Sequence, residues 1–159
     1  MSSSRHDYPE YGFKRHDRMS ATSLHEECHP AFARHETFHP RFGWLKKAVD
    51  SARKAPDIFT RADAPVEMGV GKNMVHAIRY WGLAFKLLKE ASNPDGSRAP
   101  GMQPDTLGTQ IFGDDGWDQF MEDPATLWLL HWSLLRHTCY APVWWLAFNT
   151  YPRSPAENA

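Results

Sequence analysis

Apolar residues recur at helical spacing in several stretches of this chain, and each recurrence predicts an element. The clearest runs from Lys72 to Glu90, where Met74, Ile78, Trp81, Phe85 and Leu88 form one stripe at intervals of three and four. Opposite it lie Lys72, His76, Arg79 and Lys86, a basic face interrupted by Leu83. From Pro40 to Lys54 a second helix is predicted, with Phe42, Leu45, Val49 and Ala52 inward and Lys46, Lys47, Arg53 and Lys54 outward. Asp123-Pro124 is a strong helix start, Asp supplying the N-cap and Pro the first helical position. Leu127, Trp128, Leu129, Leu130, Trp132, Leu134 and Leu135 then make the helix apolar nearly all round. That predicts burial on more than one side, with His131 as a hydrogen-bonded core residue. Pro142 to Phe148 starts another apolar helix, whose surface is expected to dock on a further part of the protein or on another subunit.

Between these helices, Pro65 to Met68 suits a short helical turn closed by Gly69-Val70-Gly71. A short helix, a glycine turn and a longer helix with a basic outer face is the outline of a helix-turn-helix. Ser92 to Asp105, rich in Pro, Gly and Asp, predicts a loop, and Thr106 to Phe112 predicts a strand. A loop and strand behind a recognition-type helix suggest a winged variant. The predicted fold is therefore mainly α: a winged helix-turn-helix-like DNA-binding domain with additional packed helices. A plain helical packing module satisfies the same pattern. Residues 1–22 lack periodicity and read as a disordered arm, 23–150 as the domain and 151–159 as a tail.

Composition adds bounds. Seven Trp and nine Phe predict large buried contacts. No apolar run reaches the length of a membrane span and the N-terminus lacks the apolar core of a signal peptide, so the cytoplasm is the expected compartment and no membrane partner is expected. Cys28 and Cys139 are far apart and in no CxxC pairing, which indicates neither a disulfide framework nor a zinc ribbon. The net charge of −1 hides a segregation. Arg34 to Arg79 holds Arg41, Lys46, Lys47, Arg53, Lys54, Arg61 and Lys72 against fewer acids, while Asp95 to Asp123 is acidic. A basic region can be a nucleic-acid footprint, and ordinary solvated helix faces give the same pattern.

The candidate chemistry is concentrated in His35-Glu36-Thr37-Phe38-His39-Pro40-Arg41. His35 offers a general base or ligand, Glu36 a carboxylate and Arg41 a fixed cation for phosphate, the parts that phosphodiester hydrolysis requires. Magnesium or manganese would be the usual ion for such chemistry. His and Glu at a helix entrance serve equally well as capping and packing groups. The string H-E-x-x-H occurs twice, at His25 to His29 and at His35 to His39. It binds zinc only in mid-helix, and Pro30 and Pro40 push the second histidines out of the α region, so no zinc is expected. Gly69-Val70-Gly71-Lys72-Asn73 fails as a phosphate-binding loop, because Val66 stands where the first glycine belongs and Asn73 replaces the Ser or Thr. No nucleotide is expected. The glycines should instead permit a sharp turn and close approach to a phosphate, with Lys72, Asn73, His76 and Arg79 on a DNA backbone.

Several blocks together carry a resemblance: His35-Glu36-Thr37-Phe38, Gly43-Trp44-Leu45-Lys46-Lys47, Pro56-Asp57-Ile58-Phe59, Gly69-Val70-Gly71-Lys72-Asn73-Met74-Val75, Ile78-Arg79-Tyr80-Trp81, Gly116-Trp117-Asp118 and Asp123-Pro124-Ala125-Thr126-Leu127-Trp128. Over roughly residues 33–149 the chain resembles the family of SspB-type nicking proteins of DNA phosphorothioation systems, formerly a domain of unknown function. The resemblance implies a DNA nickase acting on double-stranded DNA with cysteine-desulfurase and pyrophosphatase partners. Members of that family are usually longer, so the chain is expected to be an N-terminal portion. The alternative is a non-catalytic winged-helix module serving an active site in the remainder or in a partner. A homo-oligomer is a further assembly to consider.

Overall fold

The computed structural model describes residues 24–29 and 34–150, so the expected arm at 1–22 and tail at 151–159 lie outside the described residues. A one-turn helix α1 (Leu24–Glu27) is followed, after the turn at 34–37, by α2 (Trp44–Lys54), a 3₁₀ turn (Ile58–Thr60), α3 (Ala64–Met68) and α4 (Lys72–Ala84). A hairpin, β1 (Leu88–Ser92) and β2 (Arg98–Pro104), comes next, then α5 (Thr106–Phe112), α6 (Pro124–Leu135), α7 (Pro142–Trp145) and a π-helical turn (Leu146–Thr150). The fold is mainly helical with one antiparallel two-stranded sheet.

Three predicted elements change their bounds or kind. The helix expected from Pro40 starts at Trp44, because Gly43 is left-handed at φ 82 and the Trp44 amide closes a turn on the Arg41 carbonyl. Phe42 consequently points outward, 76% exposed. The helix expected to run to Glu90 ends at Ala84. The Leu87 amide donates back to the Gly82 carbonyl at 2.9 Å and Lys86 takes the left-handed region at φ 59, which turns the chain into β1. Phe85 and Leu88 stay buried although they leave the helix, so stripe and core agree while the element does not.

The predicted strand at 106–112 is a helix. Asp105 accepts from the Thr106 amide at 2.8 Å as its N-cap, and Gly108, Ile111 and Phe112 bury at helical spacing. The strand falls inside the predicted loop instead. β1 pairs with β2 through Leu88↔Pro104, Lys89↔Gln103, Glu90↔Met102 and Ser92↔Arg98, with an irregularity at Ala91. The Asn93 amide closes the connecting turn on the Ser97 carbonyl at 2.8 Å.

The core lies between α2 and α4, sealed by the hairpin and α5, with Val49, Ile58, Ile78, Leu87, Ile111 and Phe112 essentially removed from solvent. Each such side chain contributes about 1.5–3 kcal/mol by leaving water. α6 starts as predicted, with Asp123 accepting from the Ala125 amide at 2.8 Å and Pro124 in the first turn. Its expected burial on more than one side does not occur. Only Thr126, Leu130, Ser133 and Leu134 are buried, while Trp128 is 73% and Trp132 71% exposed. His131 is half-buried and meets the rings of Trp128 and Phe148 edge-on, an aromatic packing position in place of the expected hydrogen-bonded core histidine. No helix among the described residues is long and apolar enough to cross a membrane.

Candidate functional site

The α3–α4 pair brings the basic face to the surface. α3 ends on Gly69, left-handed at φ 61, where a side chain would be strained. Gly71 is ordinary extended backbone at φ −70, so the expectation that both glycines are needed for the turn applies to Gly69 alone. From Gly71, α4 turns Val75, Ala77, Ile78 and Trp81 inward and leaves Lys72, Asn73 and His76 exposed, with Arg79 partly so. No side chain caps the first turn of α4, where Lys72 and Asn73 stand exposed.

His76 and Arg79 line a groove of about 660 Å³. The turn at 34–37 adds Arg34 and Glu36 to the lining, and His29, Lys86 and Tyr140 also line it. The backbone around it is strained. Glu36 at φ 52, Thr37 at φ 63 and Lys86 at φ 59 all occupy the left-handed region, which is a genuine outlier for a β-branched residue. Strain of this kind costs about 1–3 kcal/mol per residue and clusters where a constellation is held for use.

Two long-range links hold this lining together. His29 and Tyr140 stack with centroids 5.2 Å apart, and their segments are joined by hydrogen bonds that the His29 amide donates to the Cys139 carbonyl at 2.7 Å and the Cys139 amide donates to the Glu27 carbonyl at 2.8 Å. Lys86 donates to the Thr138 carbonyl at 2.8 Å and lies over the Tyr140 ring, and burial pushes its ammonium pKa down. It acts here as a brace, whereas helical periodicity places it on the free basic face. Nothing in the local sequence marks His29, Arg34 or Tyr140 for this site, because no local signal pairs residues so far apart. Cys28 and Cys139 meet as backbone partners in an isolated parallel bridge, and both thiols are free and buried. Burial, with Cys139 beside it, pushes the Cys28 thiol up to about 12, which keeps it neutral and unreactive.

The three residues expected to share a catalytic site are separated. Glu36 faces the groove. His35 turns inward, stacked on Trp81 and edge-on to Tyr80 at 5.7 Å each, with its Nδ1 buried and without a hydrogen-bond partner. Arg41 lies over Phe38 and Trp44, at 5.8 and 5.3 Å, and lines a different, apolar groove with Phe42 and Trp144. Successive left-handed residues at 36 and 37 send the neighbouring side chains apart. The structure gathers Glu36 with His76 and Arg79 instead, two residues expected only to hold DNA. Lys72 and Asn73 sit outside this groove, nearer the start of α4.

The groove carboxylates are largely neutralised: Glu90 pairs with Arg98 at 2.7 Å and Asp105 with Lys89 at 3.0 Å. Among the described residues no three His, Cys, Asp or Glu side chains come together in a metal-binding group. The lining brings the fixed cations Arg34 and Arg79 together with His76 on one groove.

A family model described as "Protein of unknown function (DUF4007)" matches residues 32–158. No curated protein matches the chain. Two solved structures do, at 47% identity: one described as the SspB crystal structure, with a TM-score of 0.75, and one as the magnesium ion-bound SspB crystal structure, with a TM-score of 0.74. Each match covers 82% of this chain and 40% of the solved chain, so the chain spans well under half the length of these relatives.

Proposed function

This chain belongs to the DUF4007 family, and from that premise we propose that it is the DNA-engaging module of an SspB-like protein of DNA phosphorothioation. α3, the Gly69 turn and α4 act as the helix-turn-helix, and the β1–β2 hairpin directly behind α4 acts as the wing. Duplex DNA lies along the exposed face of α4, with Lys72, Asn73 and the free first-turn amides on one stretch of phosphates and His76, Arg79 and Arg34 on the next. Such contacts position the duplex without reading its sequence, and they make affinity steeply salt-dependent. The single observation behind this reading is the convergence of His76 and Arg79 from α4 with Arg34 on one solvent-open groove.

We assign the nicking step to the part of the longer relatives that this chain does not span, or to a partner protein of the same system. The separation of His35, Glu36 and Arg41 favours that assignment. A relative binds magnesium, but the groove donors here do not fit such an ion. Glu90 and Asp105 are held by cations, leaving Glu36 as the groove carboxylate outside an ion pair among the described residues.

The test is to mix the chain with supercoiled plasmid and labelled duplexes, with and without magnesium. The expected result is salt-sensitive binding of unrelated duplexes and no nicking. Absence of binding at low salt would overturn the proposal. Nicking that disappears in Glu36→Gln would move the chemistry into this groove.

A further inference from the structure

We propose that the outer face of α6 is a site for single-stranded DNA. Unpaired bases stack on Trp128 and Trp132, and Arg136 holds the strand's phosphate. The inference rests on the reading of α4 as the helix that receives the duplex. Trp128, Trp132 and Arg136 follow one another at intervals of four residues, which puts them along one side of α6 and its C-cap, with about 6 Å of rise between each. Both indoles stand largely in water. Two hollows flank them. One of about 710 Å³ is lined by Trp132 and Arg136 with Gln110 and Lys86, and one of about 450 Å³ by Trp128, Trp132 and Arg136 with Asn149. Both volumes fall in the range of about 300–1,000 Å³ that small-ligand sites occupy.

Chemistry selects the occupant. Among the described residues Arg136 has no ion pair, and the one carboxylate lining its hollows, Asp105, is held by Lys89 at 3.0 Å. An apolar polypeptide laid over this face would strip water from the guanidinium and from the Gln110 and Asn149 amides and leave them without partners. A nucleic-acid strand brings flat rings to the indoles and an anion to the guanidinium together. Stacking of bases on aromatic side chains is sequence-tolerant, and Arg beside it adds both charge and a planar face. In a duplex the base faces are already stacked on one another, so exposed indoles select a strand whose bases are unpaired.

The site also adjoins the duplex groove. Lys86 and Asp105 line both the 710 Å³ hollow and the groove of Arg34, His76 and Arg79. Cations therefore follow one another from Arg79 through Lys86 to Arg136, and a strand that separates from a duplex on α4 meets them in that order before its bases reach Trp132. The helix that presents the indoles is firmly seated. α6 secures itself inward through Leu130, Leu134 and the Ser133 hydroxyl, which donates to the Phe85 carbonyl at 2.9 Å. The core thus needs neither tryptophan, and both are free to act on a ligand.

The test is fluorescence anisotropy of the full chain with three labelled probes: oligothymidylate of about 16 nucleotides, an abasic sugar–phosphate strand of the same length, and a duplex. The expected result is binding of oligothymidylate with quenching of tryptophan emission, and binding of the abasic strand weaker by about tenfold or more. Trp128→Ala and Trp132→Ala should each weaken oligothymidylate binding about tenfold and leave duplex binding unchanged. Trp132→Phe should keep most of the affinity, whereas Trp132→Leu, apolar but without a ring, should lose it. Arg136→Ala should lower the salt slope for oligothymidylate by about 0.7, and it keeps the proposal open to refutation should the tryptophan variants not fold. Equal affinity for the abasic strand, a folded Trp132→Leu chain that binds as tightly as the parent, or an unchanged salt slope in Arg136→Ala would each overturn the proposal. So would duplex binding without any binding of oligothymidylate, which would leave the reading of α4 intact. Binding of oligothymidylate through Trp132 without any duplex binding would instead uphold the α6 site and overturn the reading of α4.

Discussion

α4 and α6 are helices of nearly equal length with opposite relations to the rest of the molecule. α4 buries Val75, Ala77, Ile78 and Trp81 along one side and gives its other side to Lys72, Asn73, His76 and Arg79. α6 carries no charge on any side, yet it buries only Thr126, Leu130, Ser133 and Leu134 and shows two tryptophans to solvent. A helix with one apolar stripe is completed by a single packing surface, whereas a helix apolar all round needs two. The protomer supplies α6 with one. The difference separates a helix whose outer side is polar from a helix whose outer side is apolar, and it makes exposed tryptophan and buried tryptophan in one chain separately testable.

The sharpest test of that contrast is the pair Trp81→Ala and Trp132→Ala. Trp81 is buried at 3% exposure, and its indole donates to the Phe38 carbonyl at 2.9 Å. Its truncation should lower stability by about 3–5 kcal/mol in denaturant titrations. An equal effect at both positions would show that α6 is already covered within the protomer. On the polar side of α4, Lys72→Ala with Arg79→Ala should weaken binding to unrelated duplexes by about tenfold and reduce the salt slope by about 1.8. Unchanged affinity in a filter-binding or anisotropy titration would take α4 out of the interface.

Smaller effects join the two regions. Tyr80, on α4, donates its hydroxyl to the Tyr140 carbonyl beyond α6, and Tyr80→Phe should cost about 1 kcal/mol in thermal or chemical unfolding. The same link predicts a response to alkali. Burial raises Tyr80 from 10.0 to about 12, and burial with Cys139 raises Cys28 from 9.0 to about 12. Folding thus favours the neutral forms of both groups. Their contribution is fully present below pH 9 and is lost as pH rises toward 12. Tyr80→Phe and Cys28→Ser should each flatten the fall in stability over that window, and a profile identical to the parent would place these groups in water. Least of all, Trp132→Ala at low protein concentration should change monomer stability by no more than about 0.5 kcal/mol.

Much of this was legible in the chain itself. The inner stripe of α4, the Gly69 turn, the Asp123-Pro124 start of α6 and the family resemblance all follow from local spacing and residue chemistry. Locally encoded signals survive because capping, periodicity and left-handed glycine act within a few residues. Asp105 before Thr106 is likewise a local signal, a helix cap that specifies a helix where a strand is expected over 106–112.

What only the tertiary structure decided involves partners distant in the chain. Where α4 stops depends on Leu88 finding Pro104 across the hairpin, a pairing that helical periodicity cannot anticipate. His35, Glu36 and Arg41 are neighbours in sequence, yet with two consecutive left-handed residues between them they reach the Trp81 ring, the groove and an aromatic shelf. His29 and Tyr140 become a stacked pair only because the segments around Cys28 and Cys139 bond through their backbones. Hydrophobicity states that a residue will be covered, and periodicity states which residues are covered together. Which surface does the covering is set by packing between elements, and among the described residues α6 meets only one such surface.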